Sequence, residues 1–253
     1  MANVKFINSR NLQLIGQMNE VHSDSVVVLA HGFTNDKSSN GRFEKMAKVL
    51  NHDGFDTLAL DFSGSGESDD AALTAGNQYD DLHGVINSLV DKAYKQIILL
   101  GNSFGSLACL KNYRPEITTM ILIGALTGPM KYQWHDFFTK EALEAINSKG
   151  FVNLDNSRRH LITKETLMDF ESIDQRALIE KIQCPVLLIH GNHKDDEEEL
   201  QLLSHSLKAI EGLPKASKLE IVEGGKHGFH KQWDEVIELS RDWLGLFKPT
   251  GWV

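Results

Sequence analysis

The 253-residue chain predicts a single α/β domain over 1–253: a mostly parallel sheet with helices on both faces, and an antiparallel hairpin at its start. Three observations predict it. Apolar runs of strand length recur along the chain, each followed by a stretch with apolar residues at helical spacing. The runs are continuous rather than alternating, as strands covered on both faces require. A glycine-flanked serine, Gly101-Asn102-Ser103-Phe104-Gly105, joins one run directly to a helical stretch.

Taken in order, Val4 to Ile7 and Leu12 to Met18 flank Ser9-Arg10-Asn11 and read as the hairpin. Val26 to Ala30 is a strand that leads to the stripe Phe43, Met46, Ala47, Val49 and Leu50. Thr57 to Leu60 leads through a Gly/Ser loop to Tyr79, Leu82, Val85, Ile86, Leu89 and Val90. Ile97 to Leu100 precedes the serine pentapeptide, with a helix over Ser106 to Tyr113 behind it. Ile117 to Ile123 is the next strand. Later, Val186 to Ile189 is followed by Leu200, Leu203, Leu207 and Ile210, and Leu219 to Val222 by Trp233, Val236, Ile237, Leu239, Trp243 and Leu244.

The alternation lapses between Ala125 and Lys181. That stretch holds Trp134, Phe137, Phe138, Phe151 and Phe170, helical pieces around Lys140 to Ile146 and Lys164 to Phe170, and a polar patch from Asn153 to His160. It is expected to form a small inserted cap, at about 125–181, over the carboxyl ends of the strands, where open α/β sheets bind ligands. Some of its aromatics anchor the cap. Trp134, Phe137 and Phe138 are candidates to contact substrate.

Composition narrows the function classes. The formal charge of −9 comes from scattered carboxylates and two dense spots, Glu67 to Asp70 and Asp195 to Glu199. A nucleic-acid partner would need clustered Lys and Arg instead. The longest apolar stretches, such as Met120 to Ile123, are far too short to span a bilayer. Met1 to Gln13 has no long apolar core, so no secretory signal and a cytoplasmic address are expected. Cys109 and Cys184 lack CxxC spacing and read as buried free thiols. The pattern is compatible with a homodimer without specifying one.

A G-x-S-x-G pentapeptide between strand and helix is the setting of a nucleophile elbow, which exposes a serine hydroxyl above the sheet edge. Such a serine needs a base, a group to orient the base, and donors for the oxyanion. His227, in Gly224-Gly225-Lys226-His227-Gly228 after the last strand, is the expected base. For the orienting acid, Asp195 and Asp196 both follow the strand ending Ile189-His190-Gly191, and Asp195 is preferred. Asp196 to Glu199 would otherwise furnish the acidic first turn of the next helix. The amides of Phe33, in Ala30-His31-Gly32-Phe33-Thr34, and Phe104 are the expected oxyanion donors. His31 is expected to brace its loop.

Two competing chemistries fit less well. His190-x-x-His193 is not an i, i+4 helical pair and has no third histidine nearby, so no metal is expected. Asp61 to Ser68 is glycine-rich but misses both G-x-G-x-x-G and the Lys-Ser/Thr pair of a P-loop, and reads as a tight loop beside the site.

The serine elbow, the His-Gly loop, the D-x-x-G-x-G-x-S segment from Asp61 to Ser68, the Ile189-His190-Gly191 ending and the late histidine together resemble the α/β-hydrolase superfamily. Within it the chain looks most like compact bacterial carboxylesterases of the cinnamoyl/feruloyl type. The resemblance implies that Ser103 is the nucleophile, His227 the base, and Phe33 and Phe104 the oxyanion donors. One departure stands out. Lys194 occupies the place where the family's acid usually lies, so either the loop is longer by one residue and Asp195 serves, which is the preferred reading, or the acid is displaced. The implied activity is hydrolysis of small-molecule carboxylic esters or thioesters with small hydrophobic or aromatic acyl groups, through an acyl-enzyme and with no cofactor. The alternatives are a peptidase, lipase or acyltransferase of the same fold, or a non-catalytic ligand-binding homologue. Haloalkane and epoxide hydrolases are disfavoured, because their nucleophile is an aspartate.

Overall fold

The computed structural model describes residues 2–155 and 159–248. It opens with the expected hairpin, β1 (Ala2–Ile7) paired antiparallel to β2 (Gln13–Asn19). Then come β3 (Ser25–Ala30), α1 (Arg42–His52), β4 (Asp56–Leu60), α2 (Ala75–Asp91), β5 (Gln96–Asn102), α3 (Phe104–Lys111) and β6 (Ile117–Ile123). The chain closes with β9 (Val186–Gly191), α7 (Glu197–Ala209), β10 (Lys218–Val222) and α8 (Trp233–Leu244). Eight strands form one sheet in the order β1-β2-β4-β3-β5-β6-β9-β10. All its pairings from β4 to β10 are parallel, and β2 joins β4 antiparallel.

The continuous apolar runs follow from burial on both faces. Along β3, Val26, Val28 and Ala30 enter the core on one side of the sheet, while Val27 and Leu29 enter the core on the other. β5 divides likewise, with Ile97 and Leu99 against Ile98 and Leu100. The first core includes residues of α2 and α3, the second residues of α1 and α8. A fully buried Val, Leu, Ile or Phe contributes about 1.5–3 kcal/mol, so these central strands are the rigid frame that holds the loops at their carboxyl ends.

Between β6 and β9 lie a short 3-10 turn (Trp134–Asp136), α4 (Lys140–Lys149), β7 (Phe151–Asp155), β8 (Arg159–Thr163), α5 (Lys164–Ser172) and α6 (Gln175–Ile179). β7 and β8 pair antiparallel as a separate two-stranded sheet, which the polar patch concealed in the sequence. Asn156 to Arg158, within that patch, lie outside the described residues. The segment is tied to the main domain by backbone. The Leu73 amide donates to the Leu161 carbonyl (3.0 Å), and the Ala75 amide to Asp169 Oδ2 (2.6 Å). Phe170, Met130 and Leu126 share a core with Phe104 and Leu107 of α3 and Leu202 of α7.

α7 departs from its predicted facing. Its buried residues are Glu199, Leu202, Leu203 and Ser206, while Leu207, expected inside, is 53% exposed. The reason lies at its start: Asp196 Oδ1 caps the helix by accepting from the Glu199 amide (3.0 Å), and Glu199 then turns its carboxylate inward to hydrogen-bond partners. Polar satisfaction, not the leucine stripe, sets this rotation. Cys109 and Cys184 are buried, unbridged thiols. Among the described residues, no helix is long and apolar enough to cross a membrane.

Candidate active site

Ser103 sits on the bend between β5 and α3, at φ 52° and ψ −122°. A non-glycine residue there carries about 1–3 kcal/mol of backbone strain, held by packing on all sides. Gly105 shows how tight the bend is: a Cβ there would lie 2.4 Å from the Ala30 carbonyl oxygen and 2.5 Å from that of His31. The Ser103 amide donates to the Ile123 carbonyl (2.8 Å), fixing the serine between β3 and β6.

His227 arrives from the loop after β10. Its Nε2 lies 2.9 Å from Ser103 Oγ, and its Nδ1 lies 2.6 Å from Oε2 of Glu199. Gly124, at φ +55°, makes room for the ring: a Cβ there would come within 2.8 Å of His227 Cε1. The other carboxylate oxygen of Glu199 accepts from Nδ1 of His190 and from the Gly191 amide, both at 2.9 Å. His190 Nε2 meets Ser206 Oγ at 2.8 Å, and Ser206 Oγ meets Thr127 Oγ1 at 2.8 Å.

One consistent set of protons satisfies this chain. An ionised carboxylate only accepts, so His190 and His227 both carry their proton on Nδ1. His227 Nε2 is then free to accept from the Ser103 hydroxyl, and His190 Nε2 from Ser206. Burial alone would push the Glu199 carboxyl up, but the hydrogen bonds from His190 and His227 outweigh it and hold it down at about 2. For His227, burial opposes protonation, yet its bond to Glu199 and that residue's charge raise its pKa above the ordinary histidine value.

The carboxylate bonded to His227 is therefore Glu199 and not the expected Asp195. Asp195 is exposed; its amide donates to His193 Nδ1 (3.2 Å) and its carboxylate lies 4.0 Å from that same ring, with no bond to His227. Asp196 does not reach the imidazole either: besides capping α7, it accepts from the His227 amide through Oδ2 (3.0 Å). The loop 192–195 turns toward solvent, and the longer glutamate side chain reaches back from the first turn of α7. The signal in the sequence was Asp196-x-x-Glu199 followed by Leu202, Leu203 and Ser206, a carboxylate in phase with a buried helical face.

The remaining expected residues gather nearby. Phe104 opens α3, where amides have no acceptor within the helix. Phe33 follows Gly32, at which a Cβ would lie 3.2 Å from Ser103 Cβ. His31 is fully buried and braces two loops, with Nδ1 bonded to the Gly32 carbonyl (2.8 Å) and Nε2 accepting from the Phe62 amide (3.3 Å). Burial lowers its pKa and keeps it neutral. Asp61 holds its glycine-rich loop from within, accepting from the Lys37 amide and Nζ (both 2.6 Å) and from the Glu67 amide (2.9 Å). His190 and His193, weighed as metal ligands in the sequence, part company: one is buried beside Glu199, the other lies at the surface loop.

A cavity of about 330 Å³ opens at Ser103 and is walled by Phe33, Tyr132, Trp134, Phe137, Phe138 and Phe170, with Glu198 also at its edge. Trp134, Phe137 and Phe138 thus line it, while Tyr132 carried no signal in the sequence and Glu198 was read only as part of the acidic first turn of α7. Tyr132 packs edge-on to Phe137 and Phe170, and its hydroxyl donates to Glu198 Oε1 at 2.6 Å. A smaller cavity of about 220 Å³ lies on the His227 side and shares Phe33, Ser103 and Glu198 with the first. Larger hollows of about 460 and 520 Å³ lie beside the β1–β2 hairpin and between α6 and α7. Ser9, Ser88 and His83 line the first of these, but among the described residues neither hollow holds a serine hydrogen-bonded to a histidine as at Ser103, so chemistry rather than volume identifies the site.

Known proteins resemble this chain to different depths. A hydrolase of Escherichia coli O139:H28 (strain E24377A / ETEC), named for 2-hydroxy-6-oxononadienedioate and 2-hydroxy-6-oxononatrienedioate, is 29% identical over 215 residues, which cover 81% of this chain and 69% of that protein. The α/β hydrolase GrgF from Penicillium sp. sh18 superposes with a TM-score of 0.78 at 17% identity, covering 98% of each chain. Est1E from Butyrivibrio proteoclasticus, solved with ferulic acid bound, superposes with a TM-score of 0.75 at 19% identity, covering 97% of this chain and 99% of its own. These two likenesses show the α/β-hydrolase fold. The sequence model of the family described as "Serine aminopeptidase, S33" matches residues 21–176, more than half of the chain, and the protein belongs to that hydrolase family.

Proposed function

We propose that the protein is a serine hydrolase that cleaves carboxylic esters of small hydrophobic or aromatic acyl groups through an acyl-enzyme. The single observation that carries this reading is the unbroken relay from Ser103 Oγ to His227 Nε2 (2.9 Å) and from His227 Nδ1 to Glu199 (2.6 Å). In this mechanism His227 takes the proton of Ser103 as its oxygen bonds to the ester carbonyl. The Phe33 and Phe104 amides hold the oxyanion, and Glu199 stabilises the imidazolium. His227 then gives its proton to the departing alcohol. Water repeats the sequence on the acyl-enzyme: His227 takes its proton, the hydroxyl adds to the carbonyl, and Ser103 leaves with that proton. Nothing in these steps calls for a cofactor.

The segment 125–181 acts in this reading as a cap, and the aromatic wall from Phe33 to Phe170 supports a preference for flat, apolar acyl groups. Unbridged Cys109 and Cys184 favour a reducing, cytoplasmic setting. The test is direct. The protein should hydrolyse short and aromatic p-nitrophenyl esters and react with a fluorophosphonate probe, and Ser103→Ala should lose both while keeping its fold. A probe that leaves Ser103 unmodified points instead to a ligand-binding homologue. Preference for amino-acid p-nitroanilides over esters points to a peptidase.

A further inference from the structure

Three residues are common to the two cavities that meet at the serine: Phe33, Ser103 and Glu198. The first two have roles in the proposed chemistry. Glu198 has none, yet its carboxylate stands at the junction. It is not the relay acid; that is its neighbour Glu199, which faces the protein interior. Tyr132 fixes Glu198 through the 2.6 Å bond to Oε1, and Tyr132 is itself held by Trp134, Phe137 and Phe170. The charge is therefore positioned, not trailing in solvent.

Among the described residues, the aromatic cavity is lined by no lysine, arginine or histidine. The smaller cavity does hold a cation, Arg42, whose guanidinium donates to the Ser39 carbonyl (2.9 Å), Ser39 Oγ (3.1 Å) and the Gly228 carbonyl (2.5 Å), all neutral acceptors that leave its charge in place, and sits over the Trp233 ring. His227 belongs to the relay. A substrate carboxylate entering the aromatic cavity would therefore meet a like charge with no cation in the cavity wall to offset it, in a partly desolvated space where such repulsion is weakly screened.

Resting on the ester reading above, we propose that Glu198, held by Tyr132, is a specificity-determining residue that makes the site select uncharged esters and reject esters carrying a carboxylate on the acyl chain. Specificity built on an unfavourable contact with the wrong substrate needs no extra affinity for the right one.

Two substrates of matched length and identical leaving group test it: p-nitrophenyl valerate and mono-p-nitrophenyl glutarate. The wild type should favour the valerate in kcat/KM by roughly a hundredfold, the size expected for like charges a few ångströms apart near a protein surface. Glu198→Gln keeps an acceptor for the Tyr132 hydroxyl and removes only the charge, and should reduce that ratio by about tenfold or more. The ratio is the readout, so a general loss of activity cancels. Glu197→Gln, which removes an exposed charge one residue away, should leave the ratio as it is. A wild-type ratio near one, an unchanged ratio in Glu198→Gln, or an equal fall in Glu197→Gln would each overturn this inference and leave the hydrolase reading intact. Hydrolysis of neither ester by the wild type would overturn both.

Discussion

The two sides of the Ser103 cavity are built on different principles. On the sheet side, Glu199, His190 and Ser206 are fully buried, and each polar group on the path from Thr127 to Ser103 has a partner within 2.9 Å. On the other side, the residues of 125–181 present rings with few polar contacts, and Phe137 is 58% exposed. Proton transfer needs atoms fixed to fractions of an ångström, which buried, fully satisfied networks supply. Recognition of an apolar group needs only area and shape, which tilted and edge-on rings supply with room to adjust. Mutations on the two sides should therefore fail differently.

The largest effect is expected at Ser103. Ser103→Ala should lower kcat by about ten-thousand-fold or more with an unchanged circular dichroism spectrum, since among the described residues the hydroxyl's one hydrogen bond is the relay bond to His227 and the proposed mechanism uses it as the nucleophile. Gly124→Ala sharpens the sheet-side half of the comparison without touching a titratable group. Its new Cβ would press on His227 Cε1 at 2.8 Å from a backbone at φ +55°, and displacing the imidazole by about 1 Å should cost roughly a hundredfold in kcat, measured on p-nitrophenyl butyrate. On the opposite side, Trp134→Ala should raise KM for an aromatic acyl ester by about tenfold while kcat changes by no more than a few-fold. An equal loss in kcat would erase the distinction between the two walls.

The pH profile probes the same network at finer scale. In the proposed mechanism turnover requires neutral His227, and Glu199 raises the pKa of that imidazole above its usual 6.5. Activity should then fall, as pH is lowered, through a midpoint above 6.5. In Glu199→Gln the stabilising charge is gone and burial remains, so the midpoint of the residual activity should move to lower pH. A midpoint that stays put in that variant would mean that Glu199 does not act on His227.

Much of this molecule was legible in its sequence, and the exceptions have physical causes. β3 and β5 announced themselves because burial on both faces demands unbroken apolar runs. Ser103 and Gly105 were readable because the bend leaves no space for larger neighbours. β7 and β8 were hidden by polar residues such as Asn153 and His160, which a small two-stranded sheet tolerates. Glu199 was missed because Leu200, Leu203 and Leu207 suggested the wrong phase for α7, and because the eye expects a carboxylate on a helix's first turn to face water. Tyr132 belongs to no periodic pattern; only the packing of Trp134, Phe137 and Phe170 around it gives it a place.

Which carboxylate serves the imidazole can be read from a single pair of variants, Glu199→Gln and Asp195→Asn, assayed side by side for kcat on p-nitrophenyl butyrate. The glutamate variant should lose about a thousandfold or more, as expected when a histidine's orienting acid is neutralised, and the aspartate variant should stay within about twofold of wild type, as surface substitutions do. A steep loss in Asp195→Asn with Glu199→Gln near full activity would contradict the relay described here.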